Sequence, residues 1–249
     1  MIAAIMQPTY LPWIGYFDLI DAVDEFVFFD DAQVLKRSWG VRNRILGQNG
    51  ETFLTVPLSG HKHGKGSAFT DTLIDSEQRW GAKHLATIRH AYAKAPFFSE
   101  VFASFETLLS VGHKTIGALN EDFIRSTAVH IGITTAFAES SRMSGVDGTK
   151  DDRLLSICRN IGASTYAAAP GSAVYIEKER EAGAFAGSGV DLRYHNYDHP
   201  VYAQGRDGFT SHMSIIDLLM NCGYNSALEI IRSGRRKMMT SAEMKGQLA

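Results

Sequence analysis

The sequence predicts an α/β protein built on a mostly parallel open sheet with helices on both faces. Three observations lead there. Apolar runs of strand length alternate with segments of helical period. The strand-like runs are apolar nearly throughout, as strands covered on both faces must be. The chain, 249 residues at 45% hydrophobic composition, is large enough to bury a substantial core.

Residues 2–6 (IAAIM) read as the first strand, 17–24 (FDLIDAVD) as a short helix, and 25–29 (EFVFF) as a second strand closed by Asp30 and Asp31. TFLTVPL at 52–58 reads as the third strand and TTAFAES at 134–140 as the fourth, with a helical insertion between them. One helix is expected over 76–93, stopped because the residue before Pro96 is pushed out of the helical region, and another over 114–130, leading into Ile131-Gly132. DDRLLSICRNIG then reads as an amphipathic helix, STYAAAP as the fifth strand, VDLRYHNY as the sixth, and SIIDLLMNCG as a helix ended by its glycine. The expectation is one Rossmann-like domain over residues 1–235, followed by a frayed basic tail over 236–249.

Charge and cysteine content exclude several function classes. Twenty-five Lys and Arg against 27 Asp and Glu give a formal charge of −2, so no global field draws nucleic acid or an anionic membrane. Cys158 and Cys222 lie in apolar helical contexts, which suits buried free thiols in a reducing compartment. No leader-like or membrane-spanning apolar stretch is present, and a cytoplasmic location without membrane insertion is expected. His61 and His63 form an H-x-H pair, but HKHGKG reads as an exposed loop without a completing Cys or carboxylate, so no metal is expected there. His84 with His90, and His195 with His199, lack the spacing of a ligand pair.

In an open parallel sheet the ligand crevice lies beyond the carboxyl ends of the strands. Residues 7–16 leave the first strand and 30–44 leave the second, so both loops are expected to line one crevice. The first carries Gln7 and the rings of Tyr10, Trp13 and Tyr16, which can stack on a sugar or base at little entropic cost, with Pro8 and Pro12 fixing the backbone and Gly15 allowing a tight turn. The second, DDAQVLKRSWGVRNR, holds Asp30, Asp31, Gln33, Lys36, Arg37, Ser38, Arg42, Asn43 and Arg44. Four cations in one loop suit phosphate or carboxylate recognition; the plain alternative is a solvated loop with internal ion pairs.

These stretches also carry a resemblance. Gln7-Pro8, Tyr10-Leu11-Pro12-Trp13, Gly15-Tyr16-Phe17, Asp30-Asp31, Lys36-Arg37-Ser38-Trp39 and Arg42-Asn43-Arg44-Ile45 together resemble the WbqC-like family. The likeness continues through TVPL at 55–58, Trp80, residues 92–98 (YAKAPFF), Tyr202-Ala203-Gln204 and residues 214–219 (SIIDLL). It implies a role in bacterial surface polysaccharide (O-antigen) biosynthesis, with glycine or another acyl group transferred to a sugar. Where family members often show Ser-Gly after the fifth strand, this chain has residues 167–172 as AAAPGS. More distantly, the opening is similar to the first loop of class I synthetases and nucleotidyltransferases, without their two histidines.

The resulting expectation is a transferase delivering an acyl or aminoacyl group to an activated sugar. Asp30 or Asp31 is the expected base, with Gln7, Ser38 or Asn43 as donors to the tetrahedral intermediate. The expected partners are a sugar nucleotide or other small anionic substrate and an acyl donor, whether coenzyme A, a carrier protein or an aminoacyl donor; the cofactor is left open. The alternatives are an ATP-dependent amino acid ligase with Mg²⁺ on Asp30 and Asp31, and a sugar-binding accessory protein without catalysis.

Overall fold

The computed structural model describes residues 1–59 and 67–248; the pair His61 and His63 lies outside the described residues. The chain opens with β1 (Ile2–Met6), passes through α1 (Ile14–Asp21) to β2 (Glu25–Phe28), and then forms a hairpin of β3 (Arg42–Gly47) and β4 (Gly50–Thr55). The helices α2 (Trp80–Tyr92), α3 (Phe98–Ser110) and α4 (Ile116–His130) precede β5 (Ala136–Glu139). The remainder is α5 (Lys150–Asn160), β6 (Thr165–Ala168), the short α6 (Ala173–Ile176), β7 (Asp191–Tyr194), α7 (Ile215–Ser233), β8 (Met239–Thr240) and α8 (Ser241–Leu248).

The result is a mixed α/β fold around a mostly parallel central sheet. Strand order is β5-β2-β1-β6-β7-β8, parallel except for the last strand. Alternation along β1 and β2 divides two cores: Ala3, Ile5 and Val27 meet Leu154, Ile157 and Cys158 of α5, whereas Ala4, Phe26 and Phe28 meet residues of α1, α4 and α7. Covering both faces is why these strands read as unbroken apolar runs. Burial also pushes the Cys158 thiol up to about 12. Among the described residues no helix is long and apolar enough to cross a membrane.

Three expectations are corrected. TFLTVPL is not a strand of the main sheet: β4 pairs only with β3, antiparallel, through a two-residue turn at Gln48-Asn49 that Gly50 closes with φ +107°. The insertion holds a further helix, α3, whose apolar side (Val101, Phe102, Phe105, Leu108) is buried. At Gly223 the helical path of α7 breaks as expected (φ 74°, ψ 171°) and a second helical stretch follows it; the Phe97 ring, 2.7 Å from where a Cβ would lie, leaves room there only for glycine. The tail, as far as Leu248, is not frayed but forms β8 and α8: Met239 pairs with Tyr194, Ser241 Oγ donates to Glu177 Oε1 at 2.6 Å, and Met244 is buried.

From β1 the chain moves outward to β2 and β5 on one side, then crosses to β6 on the other. Connections therefore diverge at the carboxyl ends of β1 and β6, which is where a crevice opens.

Candidate functional site

Residues 7–13 leave β1 as an irregular loop whose backbone groups are satisfied from three other elements. Asn120 of α4, fully buried, donates from Nδ2 to the carbonyls of Pro8 (2.9 Å) and Gly40 (2.8 Å). Asn43 of β3, also buried, donates to the carbonyls of Tyr10 (3.1 Å) and Leu11 (2.8 Å). At the start of α7, Ile215 N–H donates to Pro12 O at 2.8 Å. These anchors hold Leu11 at φ 46°, a left-handed conformation costly for a branched side chain.

Over this loop lies a cavity of about 360 Å³, lined by Met6, Thr9, Trp13, Tyr16, Trp39, Asn43, Arg44 and His212. Trp13 is half-buried. Its indole stacks on His212 (centroids 4.9 Å, 26°) and meets Tyr197 edge-on at 5.6 Å. Gly15 is not needed for a turn: it is helical, and the Trp13 ring lies where its Cβ would be. Tyr16 is almost fully buried, donates to Gln7 O at 3.0 Å, and has its phenol pKa raised by that burial. The Thr9 hydroxyl oxygen is closed off from solvent without a hydrogen-bond partner, an unsatisfied polar atom at the cavity wall.

The cation loop separates into different environments. Arg44 sits at the cavity, bonded to Glu51 at 2.8 Å and to His212 O at 3.3 Å, with its guanidinium 6.0 Å from the exposed Trp39 ring. Arg42 lies over Phe53 at 4.7 Å. Lys36, Arg37 and Gln33 are exposed and do not line the cavity. Ser38 Oγ is sealed without a partner. Gln7 is exposed beyond the end of β1. Tyr10 is in the core: it is fully buried, with its hydroxyl 2.8 Å from His84 Nδ1.

Asp30 and Asp31 are occupied by their own fold. Asp30 accepts from Ser140 Oγ (3.1 Å), Ser141 N (2.9 Å) and Ser141 Oγ (2.5 Å); Asp31 accepts from Ser140 Oγ (2.6 Å) and Arg153. They cap the end of β5 and tie α5 to β2.

Three site features escaped the sequence reading. His212 holds φ 60° and stacks on Trp13; burial and the nearby Arg44 charge lower its pKa. Glu121 of α4 has its pKa raised to about 7 by burial and by the charges of Asp30 and Glu139. Asp18 of α1, fully buried, accepts from His195 Nε2 (2.7 Å) and Arg235 Nε (2.9 Å) beyond the end of β7. No local motif marks any of them, since each depends on segments far apart in the chain.

Residues 7–229 match the model of the WbqC-like protein family, a span that includes every residue lining the cavity except Met6. The chain belongs to the WbqC-like protein family. It is 34% identical over 224 residues to the uncharacterized protein Rv1507c of Mycobacterium tuberculosis (strain ATCC 25618 / H37Rv), an alignment covering 88% of this chain and 93% of that one. No solved structure matches the chain.

Proposed function

We propose that this WbqC-like protein is a transferase that binds an activated sugar in the cavity over β1 and delivers an acyl or aminoacyl group to it. One observation carries the reading: the rings of Trp13 and Trp39 line one cavity together with Arg44, whose guanidinium lies 6.0 Å from the Trp39 ring, beyond the end of a central parallel strand. Ring faces suit a sugar or base, and a guanidinium suits the phosphate or carboxylate attached to it. The strand order β5-β2-β1-β6-β7-β8 supports a doubly wound, Rossmann-like reading, in which ligands sit at this switch point.

The base in this scheme is His212 rather than the capped Asp30 and Asp31. Its lowered pKa leaves the imidazole neutral at pH 7, with Nδ1 held 2.8 Å from Ser211 Oγ. As the acceptor hydroxyl or amine bonds to the acyl carbon, its proton passes to Nε2. The tetrahedral intermediate then collapses, breaking the bond to the acyl donor, and the departing group takes the proton back from Nε2 while Arg44 holds the substrate's anionic group. An ATP-dependent ligase needs Asp30 and Asp31 free for Mg²⁺, and has less support because every oxygen of the pair already accepts a hydrogen bond.

Thermal denaturation against sugar nucleotides, ATP and acyl-coenzyme A, followed by mass spectrometry of the mixed reactants, tests the reading. Sugar nucleotides should raise the melting temperature of the wild type but not of Arg44→Ala, and an acylated sugar should form. ATP-dependent pyrophosphate release selects the ligase, binding without turnover selects the accessory role, and no response to any sugar nucleotide overturns both sugar readings.

A further inference from the structure

We propose that a second, larger groove, separate from the cavity over β1, binds a phosphorylated organic ligand of nucleotide size carrying two or more negative charges. The groove encloses about 840 Å³, within the usual range for small-molecule sites. Arg89, His90 and Lys94, from the end of α2 and the turn after it, contribute to its lining, and Arg206 contributes from the segment between β7 and α7. No carboxylate residue lines it. Among the described residues Arg89, Lys94 and Arg206 form no ion pair with any carboxylate. In a chain of net charge −2, these cations around one hollow make a local attraction for an anion, with the buried Asp217 beneath the floor the carboxylate that acts on Arg206.

Helix electrostatics account for part of this. Arg89 and His90 lie in the last turn of α2, where positive charge offsets the helix dipole, and Arg89 also covers the Phe102 ring at 4.6 Å. That account does not reach Lys94, which lies beyond the helix, or Arg206, which belongs to another segment and is fixed by donating to Gly47 O at 2.8 Å.

The floor is held by a buried polar clamp. Asp217 of α7, fully buried, accepts from the hydroxyls of Tyr92 (2.8 Å) and Tyr202 (2.9 Å) and from Gln204 Nε2 (2.8 Å). The Tyr92 hydroxyl in turn accepts from Leu46 N–H at 3.0 Å. One carboxylate thus anchors Tyr92, between Arg89-His90 and Lys94, and Tyr202 with Gln204, just before Arg206. Ala95 and Pro96 add an apolar stretch on which the organic part of the ligand can lie.

Titration calorimetry with inorganic pyrophosphate and with ADP tests the site without reference to the transferase reading. ADP should bind, and Lys94→Ala and Arg206→Ala should each weaken it about tenfold, the loss of one charge-assisted hydrogen bond. Arg44→Ala should leave that affinity unchanged, and tighter binding of ADP than of pyrophosphate assigns the organic part to the Ala95-Pro96 wall. Lys94 is exposed, so its removal leaves the fold intact, which circular dichroism verifies. No heat of binding at ~1 mM of either probe overturns the proposal, as does affinity insensitive to both groove variants or abolished by Arg44→Ala.

Discussion

The indole of Trp13 lies across Gly15, so that a Cβ at position 15 would meet ring carbons at 2.2 to 2.6 Å. The glycine clears the ring, and the ring forms part of the cavity wall.

Gly15→Ala should therefore displace the indole, costing about 1–3 kcal/mol as an overpacking change and removing ligand binding. Adding Trp13→Leu should recover most of that stability, because the clash is gone, but none of the binding. Denaturant unfolding of the two single variants and the double variant measures the coupling. Additive losses would show that the two positions do not interact.

The arginines of the cation loop should behave differently. Arg44→Ala is expected to weaken a sugar nucleotide by about 1.5–3 kcal/mol, the range for a hydrogen bond to a charged group. Arg42→Ala should change affinity by less than about threefold, since its guanidinium is engaged over Phe53. Equal losses in both variants would move the anion toward the hairpin.

Asp30→Asn should act on the fold. Its three hydrogen bonds hold the turn after β5. Thermal unfolding should occur earlier while affinity at the cavity stays unchanged; normal stability with lost turnover would instead return Asp30 to the chemistry.

Stability should depend on pH through two opposed groups. Glu121 is raised to about 7, so between its unfolded value of 4.5 and 7 the folded state binds more protons and stability falls as pH rises. His84 is lowered to about 4 by burial, so between 6.5 and 4 the unfolded state binds more protons and stability falls as pH drops. The two effects offset each other between 4.5 and 6.5. Glu121→Gln should flatten the loss on the alkaline side, gaining of order 1 kcal/mol at pH 8 once solvent screening of a half-buried group is allowed for, and should expose the acid lability of His84. Melting temperatures from pH 4 to 8 for both proteins provide the check.

The fold was legible where local pattern and global packing agree. Ala3 to Ile5 and Phe26 to Phe28 are buried on both faces and read as strands without ambiguity. The hairpin escapes the sequence pattern although Asn49 and Gly50 stand at its turn, because Leu54, Val56, Pro57 and Leu58 imitate a covered strand. In the site, proximity in sequence located Trp13, Tyr16, Asn43 and Arg44 at one cavity. It also enlisted Tyr10, whose hydroxyl is used by His84 more than seventy positions away. His212 and Asp18 were invisible for the converse reason: their partners come from remote segments, and no spacing rule relates them.

Asp18 supplies the sharpest separation of structure from chemistry. It joins α1 to His195 after β7 and to Arg235 after α7, and Arg235 also donates to Asp21 at 2.5 Å. An Asp–His pair at the end of a parallel strand also has the form of a catalytic dyad. The Arg235 guanidinium argues for a structural clamp, because it already satisfies the charge that an imidazolium would otherwise require. Asp18→Asn should cost about 3 kcal/mol, the lower end for breaking a buried ion pair, since Arg235 reaches solvent. His195→Gln keeps a donor for Asp18 and should preserve both stability and turnover. A His195→Gln protein that folds normally yet transfers no acyl group would make His195 the base and remove that role from His212.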